Sequence, residues 1–564
     1  MPFDLRRWTP QLFLCLGSYT RQDFAADLIA GVTVGLVALP LAMAFGIASG
    51  VKPEAGIYTA IVAGFLISAL GGSRVQIGGP TGAFVVIVAA IIARHGISGL
   101  LMVTLMAGVL LILIAWSGLA KAVQFIPRPV TIGFTNGIAL LIASTQIKDF
   151  FNLDTGSSPL PSEFFRRMTL LVERFNTMHM PTVLLGCASL LLIIFWPRIN
   201  RRIPGTIVAL VLATLATAIF GLPVATIGSR FGGIPAGFPH FVMPQFRADL
   251  ILPLLPSAVT VALLAAIESL LSAVVGDSMA GYRHDSSVEL VAQGLANIVV
   301  PMFGGIPATG AIARTATNIR SGARTPVAGM IHALTLLVIV LAAAPLARSI
   351  PLATLAAVLF VVAYNMGEWS EIRPILRLST ADIAVWWATF LLTVVADLTV
   401  AVEVGMVLAS LLYIYRISET TTVSTVTDEY IEDGRVHVLQ DKQVPSYVTI
   451  LRIHGPFLFG SSEKLTEASS DLSAFAPIVV LRLRNMTALD ATGLHAIESL
   501  ADRLHESGRT LLICGARDQP ASIIERSSLY EHVGKEGVLP HIDAALARAR
   551  ELMGTQDIAT FRKN

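Results

Sequence analysis

Two short stretches of the chain, GGPTGA at residues 78–83 and GGIPATGA at residues 304–311, nearly repeat each other. Each interrupts a series of long apolar segments. Broken apolar segments at corresponding positions in two halves of a membrane protein indicate a transporter's binding site. A helix that begins inside the membrane directs free N–H groups and its positive dipole end at a ligand. Two such ends predict a site for an anion.

The composition predicts a polytopic α-helical membrane protein. Of 564 residues, 54% are hydrophobic and 14% are charged, and the mean hydropathy is +0.71. Such an excess of apolar residues requires lipid as the solvent. The formal net charge of +2 argues against a nucleic-acid partner. The three cysteines have neither metal-ligand spacing nor a disulfide pattern.

A change in composition near Arg416 divides the chain. Long apolar runs precede this residue, and a mixed, globular composition follows it. We therefore predict the following divisions: a cytoplasmic N-terminal segment (1–23), a membrane domain (24–416), a linker (417–440), a small α/β domain (441–550) and a flexible tail (551–564).

About fourteen apolar segments are expected in the membrane domain. The segments behind the two motifs, 82–94 and 310–320, are too short to cross a bilayer that needs about 20 residues. Seven segments per half force the second half to be inverted relative to the first. The predicted segments are 24–45, 55–71, 82–94, 98–119, 129–148, 181–197, 204–221, 254–277, 288–303, 310–320, 325–345, 351–365, 381–397 and 399–416.

Positive charge indicates the orientation of the chain. Basic residues concentrate before the first segment and in every second loop after it, which predicts that both termini are cytoplasmic. These residues are Arg6, Arg7, Arg21, Lys121, Arg128, Arg198, Arg201, Arg202, Arg283, Arg320, Arg324, Arg373, Arg377 and Arg416.

Several stretches in the expected order resemble the SulP (sulfate permease) family of anion transporters. They are DLIAGVTVG at 27–35, ALPLAMAF at 38–45, GGSR at 71–74 and ARTA at 313–316. The resemblance implies a core domain, a gate domain and a pocket between the third and tenth helices, completed by the first and eighth. It also implies a homodimer in a bacterial inner membrane.

The C-terminal region resembles the STAS domain that accompanies this family. VVLRL at 479–483 is typical of a buried strand, LDATG at 489–493 of a turn, and 494–507 of an amphipathic helix. Thr492 stands where some STAS proteins carry a phosphorylated residue, so it is a candidate regulatory site. The alternative is that Thr492 caps the helix. The resemblance also implies a cytoplasmic partner for this domain.

Glu268 is the candidate for proton coupling. It lies in the middle of the eighth segment, where a carboxylate is costly and therefore indicates function. Burial favours the protonated form, so we expect Glu268 to take up a proton with the anion. Ser272, one turn later, is a candidate neighbour of the proton or sodium site. The alternative is a structural hydrogen bond to another helix.

The broken helices supply the remaining candidate substrate-binding residues. We expect backbone donors at Thr81, Gly82, Ala83, Phe84, Thr309, Gly310, Ala311, Ile312 and Ala313. Arg314 would add positive potential, or would instead pair with a carboxylate and hold the scaffold. Many relatives have hydroxyl residues near 311 and 313, and some have a polar residue at 41. Ala311, Ala313 and Leu41 therefore favour a carbon-bearing anion.

These observations predict a secondary active anion transporter. The stretch AIESLL at 266–271 is similar to bacterial members that import dicarboxylates with protons, which favours succinate or fumarate. Sulfate or bicarbonate transport, coupled to protons or sodium, is the alternative, as is an uncoupled exchanger or channel. The chain has no P-loop and no nucleophile elbow, so we expect no enzyme activity, cofactor or metal site.

Overall fold

The computed structural model describes residues 8–120, 127–156, 160–161, 163–200, 204–234, 237–239, 241, 247–396, 398–426 and 444–561. The side chains of 398–403, 406, 409 and 555–561 are outside this description. The chain forms two units, Met1–Ala409 and Ser410–Asn564. Each unit is described by itself below.

Apart from the short strands β1 (Gly78–Gly79) and β2 (Thr309–Gly310), the first unit is built of helices, because a backbone in lipid must satisfy its hydrogen bonds within each segment. The helices up to the midpoint are α1 (Gln11–Leu16), α2 (Arg21–Ala48), α3 (Pro53–Leu70), α4 (Gly82–Ser117), α5 (Arg128–Phe151), α6 (Phe164–Glu173), α7 (Met180–Ile199), α8 (Gly205–Phe220) and α9 (Ile227–Phe231). The helices after it are α10 (Ile251–Ala280), α11 (Ser286–Val299), α12 (Ile312–Arg320), α13 (Val327–Ala347), α14 (Leu352–Met366), α15 (Ile372–Ile375), α16 (Thr380–Val395) and α17 (Leu398–Thr420).

The prediction of about fourteen membrane segments in a seven-plus-seven arrangement is confirmed. Helix α4 contains a non-helical Gly96 (φ 68°, ψ −174°) and so comprises two segments. With α2, α3, α5, α7, α8, α10–α14, α16 and α17, the described residues provide fourteen segments. Nine helices in this part of the chain are long and apolar enough to span a membrane.

The helices of this unit pack in two groups. Helices α2, α3 and α4 pack against α10, α11 and α13, whereas α5, α7, α8, α14 and α16 pack mainly against one another. The first group matches the predicted core and the second the predicted gate. Small residues permit close crossings: a methyl group on Gly108 of α4 would lie 2.6 Å from the Gly294 carbonyl of α11.

A buried carboxylate joins the first helix to the second half of the unit. Asp27 of α2 accepts hydrogen bonds from the backbone N–H groups of Arg324 and Thr325, at 2.8 and 3.1 Å, and from the Thr325 hydroxyl. The Tyr19 hydroxyl also donates to Asp27. Burial, aided by the Asp27 charge, raises the pKa of Tyr19 to about 12, so the phenol remains a donor.

The second unit contains a five-stranded sheet in the order β3-β4-β5-β6-β7. Strand β3 is antiparallel to β4, and the other neighbours are parallel. Apolar clusters lie on both faces of the sheet. The elements are β3 (Thr422–Val426), β4 (Val448–Phe457), α18 (Ser462–Ala468), β5 (Ile478–Leu489), α19 (Ala491–Glu506), β6 (Thr510–Cys514), α20 (Asp518–Glu525), α21 (Leu529–Val533), β7 (Val538–Leu539) and α22 (Ile542–Phe561).

Two predicted boundaries differ from the structure. The predicted linker, 417–440, contains the end of α17 and strand β3, and its residues 427–440 lie outside the described residues. The β-branched run Thr420–Val426 favours a strand, and pairing with β4 stabilises it. Helix α22 continues to Phe561, so the predicted flexible tail is helical over most of its length.

Candidate functional site

The two repeated motifs meet and position the starts of two helices. Gly78–Gly79 forms strand β1 and Thr309–Gly310 forms strand β2, which pair antiparallel. Gly78 lies opposite Gly310, and Gly79 lies opposite Thr309. Helix α4 begins three residues after β1 and helix α12 two residues after β2. The pairing therefore brings the positive ends of both helices to one place.

Side chains from α10 and α12 fix this small sheet. The Ala311 N–H donates to the Ile77 carbonyl over 2.8 Å, and the Thr315 hydroxyl accepts from the Ile77 N–H over 3.1 Å. The Gly310 N–H donates to the Ser269 hydroxyl over 3.1 Å. All of these groups are buried, so the strand positions are strongly constrained.

These bonds divide the predicted backbone donors into two groups. The amides of Gly310 and Ala311 already donate to Ser269 and Ile77, as described above. The Phe84 amide donates to the Thr81 carbonyl over 3.3 Å. The Thr309 hydroxyl donates to the Ala265 carbonyl of α10. These bonds occupy the amides of Phe84, Gly310 and Ala311 and the hydroxyl of Thr309, and the predicted role of these residues in binding a substrate stays a prediction.

The first-turn amides of the two helices remain available. Within the described part of the chain, no backbone or side-chain acceptor is found for the amides of Gly82, Ala83, Ile312 and Ala313. Neither helix has a side-chain cap at its first turn. Ile312 and Ala313 are exposed, so this end of α12 is accessible and not covered by other described helices.

Glu268 lies beside the start of α4. It projects from the middle of α10 and is half-buried. The Thr81 hydroxyl donates to Glu268 Oε2 over 2.8 Å. Thr81 immediately precedes α4, so this bond links the carboxylate to the first broken helix. The predicted carboxylate and the predicted helix end are therefore in direct contact.

Arg314 crosses from α12 to the other broken helix. Its side chain is buried, with 3% of its surface exposed. The guanidinium Nη2 donates to the Pro80 carbonyl, just before α4. The partner found is thus a carbonyl, and the positive charge remains beside the two helix ends.

Ser272 has a different neighbour from the one that its spacing suggests. Its hydroxyl lies 3.1 Å from the Thr315 hydroxyl of α12, and both side chains are buried. Ser272 therefore joins α10 to α12, beside the Ile77 anchor. Its predicted role next to a proton or sodium site stays a prediction.

Helices of the gate group approach the start of α4. A methyl group on Gly82 would lie 3.1 Å from Ile142 Cδ1 of α5 and 3.4 Å from Met366 Sδ of α14. It would also lie 3.4 Å from Phe45 Cε1 of α2. The candidate site therefore lies where the core and gate groups meet, and movement of one group against the other would change access to it.

Several positioning residues were not predicted from the sequence. Ser269 binds the Gly310 amide, Gln76 Nε2 donates to the Ser269 carbonyl over 3.2 Å, and Asn297 bonds twice with Ala308. All three side chains are buried. Ser269 and Asn297 lie inside predicted apolar segments, where a polar residue is a signal that could have found them. Gln76 lies between two segments and gave no such signal.

The C-terminal unit places Thr492 on the surface. The cap of α19 is Asp490, whose side chain accepts from the Gly493 N–H over 2.8 Å and from the Phe459 N–H over 2.8 Å. Thr492 is exposed at the second position of the helix. The alternative that Thr492 caps the helix is therefore wrong, and its regulatory role stays a prediction.

This fold and this site define a membrane transporter for anions. Residues 24–389 match the model of the Sulfate permease family, and residues 440–549 match the STAS domain. The chain belongs to the sulfate permease family and carries a C-terminal STAS domain. It is a multi-pass anion transporter and not an enzyme.

Known proteins of similar sequence and structure agree with this assignment. The Bacillus subtilis (strain 168) protein named "Putative sulfate transporter YvdB" is 40% identical, with coverage of 93% of this chain and 98% of that protein. The "Bicarbonate transporter BicA" of a Picosynechococcus strain is 30% identical, with 94% and 95% coverage. The structure of the murine Slc26a9 anion transporter has a TM-score of 0.85 at 18% identity, covering 98% and 95%, and shows the same fold.

Proposed function

We propose that this protein is a secondary active transporter of a small inorganic oxyanion, sulfate or bicarbonate, and that Glu268 couples the movement of the anion to a proton. The observation that carries the proposal is the meeting of two open helix starts with the buried charge of Arg314.

The electrostatics of this place favour an anion. Each helix start carries the equivalent of about half a positive charge, and the Arg314 guanidinium adds a full one. The open amides of Gly82, Ala83, Ile312 and Ala313 supply hydrogen-bond donors at the two helix starts that the paired strands bring together. Several convergent donors match an oxyanion, whose oxygens accept in several directions.

The choice of an inorganic oxyanion departs from the dicarboxylate favoured by the sequence. The dicarboxylate prediction depends on the AIESLL stretch at 266–271 and on apolar side chains at 41, 311 and 313. Of these side chains, Ala311 is buried and its amide binds Ile77. Position 311 thus presents little surface to a ligand. The relatives described above are named as sulfate and bicarbonate transporters, which supports the alternative.

The contact between Thr81 and Glu268 supports a coupling role. A half-buried carboxylate next to an anion site would repel the anion when ionised and would accept a proton more readily when the anion is present. Anion and proton would then enter together. Movement of the core group against the gate group would carry both across the membrane, since the site lies between them.

We further propose that the protein lies in a bacterial inner membrane with both termini in the cytoplasm. The basic residues of alternate loops support this orientation. A homodimer, with a cytoplasmic partner for the STAS domain, completes the proposal.

Calorimetric titration of purified protein with sulfate, bicarbonate, succinate and chloride tests the substrate class. We expect saturable binding of sulfate or bicarbonate and a loss of at least about tenfold in affinity in Arg314→Gln, because hydrogen bonds to charged groups contribute at least about 1.5 kcal/mol. Arg314→Lys keeps the positive charge but lacks the planar guanidinium, so it distinguishes the effect of charge from that of hydrogen-bond geometry. Arg320→Gln, at the exposed end of the same helix, is the matched control. Binding of succinate alone would restore the dicarboxylate assignment.

A further inference from the structure

A line of buried polar atoms without hydrogen-bond partners lies behind the candidate anion site. Among the described side chains, Arg314 Nη1, both ring nitrogens of His332 and the Ser68 hydroxyl have no partner. Their exposed fractions are 3%, 0% and 3%. An unsatisfied buried donor or acceptor is costly, so such groups in one region call for a common explanation.

These atoms lie along the face of helix α3 that contains Ala60, Gly64 and Ser68 itself. The three residues are spaced four apart, which places them on successive turns about 6 Å from each other. A methyl group on Gly64 would lie 3.4 Å from His332 Nδ1, and one on Gly329 would lie 2.1 Å from Ser68 Oγ. Gly329 precedes His332 by three residues in α13.

The Arg314 side chain lies near Ala60, the first of these three residues. A methyl group on Gly79 would lie 2.7 Å from Arg314 Nη1 and 3.4 Å from Ala60 Cα. His332 Nδ1 lies beside Gly64, one turn further along this face. The order along α3 is therefore Arg314, His332, Ser68.

The chemistry of these groups is complementary. Arg314 Nη1 can only donate, a neutral imidazole has one donor and one acceptor, and a hydroxyl can do both. A buried water needs two to four polar partners of this kind. Water between these groups would satisfy all of them and fix the guanidinium, whose other nitrogen binds Pro80.

We propose that His332 is a positioning residue for Arg314, acting through water molecules held along the Ala60–Gly64–Ser68 face of α3. The neutral ring accepts from this water, and the water accepts from Arg314 Nη1. The guanidinium is thereby held toward the two helix starts. This inference rests on the proposed function, since it concerns the same anion site.

The test is uptake of sulfate and bicarbonate by proteoliposomes containing the full chain. His332→Phe removes both ring nitrogens, and we expect the KM for the anion to rise by roughly 5- to 150-fold, the range for an unsatisfied buried donor, with less change in kcat. His332→Asn, which keeps a donor and an acceptor, is expected to recover most of this loss. Ser68→Ala is expected to have a smaller effect of the same sign.

Thr335→Val is the matched control. It removes a hydroxyl one turn further along α13, where Thr335 bonds its own helix at Ile331 and faces Gly35 of α2. Its KM is expected to equal that of wild type. An unchanged KM in His332→Phe, or a loss of thermal stability without a KM effect, would overturn the proposal. Absence of transport by wild-type protein would instead refute the proposed function.

Nitrogen-15 NMR of the histidine rings gives a second readout that does not depend on the stability of His332→Phe. The chain has 11 histidines, and the His332 signals are assigned by their loss in His332→Asn. In Arg314→Lys, we expect these signals to shift, because the water network loses its guanidinium donor. Identical His332 signals in wild type and Arg314→Lys would contradict the link.

Discussion

Replacing Thr81 by Val tests whether the contact between α4 and α10 supports transport. The Thr81 hydroxyl donates to Glu268 Oε2 over 2.8 Å, and Val keeps the branched shape while removing the donor. A hydrogen bond to an ionised group contributes about 1.5–3 kcal/mol, which corresponds to roughly a 10- to 150-fold change in a rate or equilibrium constant. We expect kcat/KM for anion uptake to fall within this range.

Initial uptake rates in proteoliposomes measure this effect, with Thr81→Ser as the control. Serine keeps the hydroxyl, so its kcat/KM is expected to lie close to that of wild type. The same Thr81→Val change is then made in a Glu268→Leu background, where the hydroxyl has no carboxylate to bind. A double-mutant cycle isolates the energy of the pair.

The hydrogen-bond explanation predicts that Thr81→Val has little further effect when Glu268 is Leu. The cycle is also measured on anion binding by calorimetry, so that an inactive Glu268→Leu protein is still informative. Fully additive losses in both assays, or wild-type kcat/KM in Thr81→Val, would refute the reasoning.

Three further predictions concern the scaffold and the C-terminal unit. Gly310→Ala places a methyl 1.8 Å from Gln76 Nε2, so overpacking of about 1–3 kcal/mol should lower both the thermal midpoint and uptake; unchanged values would contradict the tight pairing of the strands. Asp27→Asn should destabilise the protein by about 1–3 kcal/mol in denaturant titrations, because buried donors lose a charged acceptor; equal midpoints would show that this bond is dispensable. A hydrogen bond to Asp502 raises the pKa of His532, so its stabilising contribution is present below about pH 6.5 and is lost as the pH rises through the raised value; His532→Gln should remove this pH dependence from thermal melts.

The inverted repeat of the fold was predictable because short sequence patterns indicate it. The motifs at 78–83 and 304–311 kept the same order in both halves, and the apolar runs had helical lengths. Backbone groups in lipid leave little choice other than helices. The short segments at these motifs could only be helices with open ends. The family resemblance placed the eighth segment, which contains Glu268, and the tenth, which contains Arg314, around one pocket.

The acceptor to which each backbone amide of the site donates was not predictable from the sequence. The Gly310 amide is taken by Ser269 and the Ala311 amide by Ile77, and both choices depend on how α10 packs against the sheet. Ser272 follows Glu268 by one turn and so shares its face, yet Thr315 is close enough to bind it. Competition between partners distant in sequence is decided by packing and leaves no local pattern.

Strand β3 was missed for a related reason. Thr422–Val426 follows the last membrane helix directly and is short, so its polar β-branched residues looked like part of a linker. Its stability comes from pairing with β4, in which Ser424 lies opposite Arg452. A strand at the edge of a sheet gains most of its stabilisation from its neighbour.

Uptake by purified protein in proteoliposomes, with and without an inward proton gradient, tests the proposed transport most directly. Sulfate, bicarbonate and succinate are compared in wild type and Glu268→Gln. We predict gradient-stimulated uptake of sulfate or bicarbonate in wild type, and loss of the stimulation in Glu268→Gln. A wild-type uptake rate that is the same with and without the proton gradient would contradict the coupling role of Glu268. A Glu268→Gln protein with unchanged gradient dependence would contradict it as well.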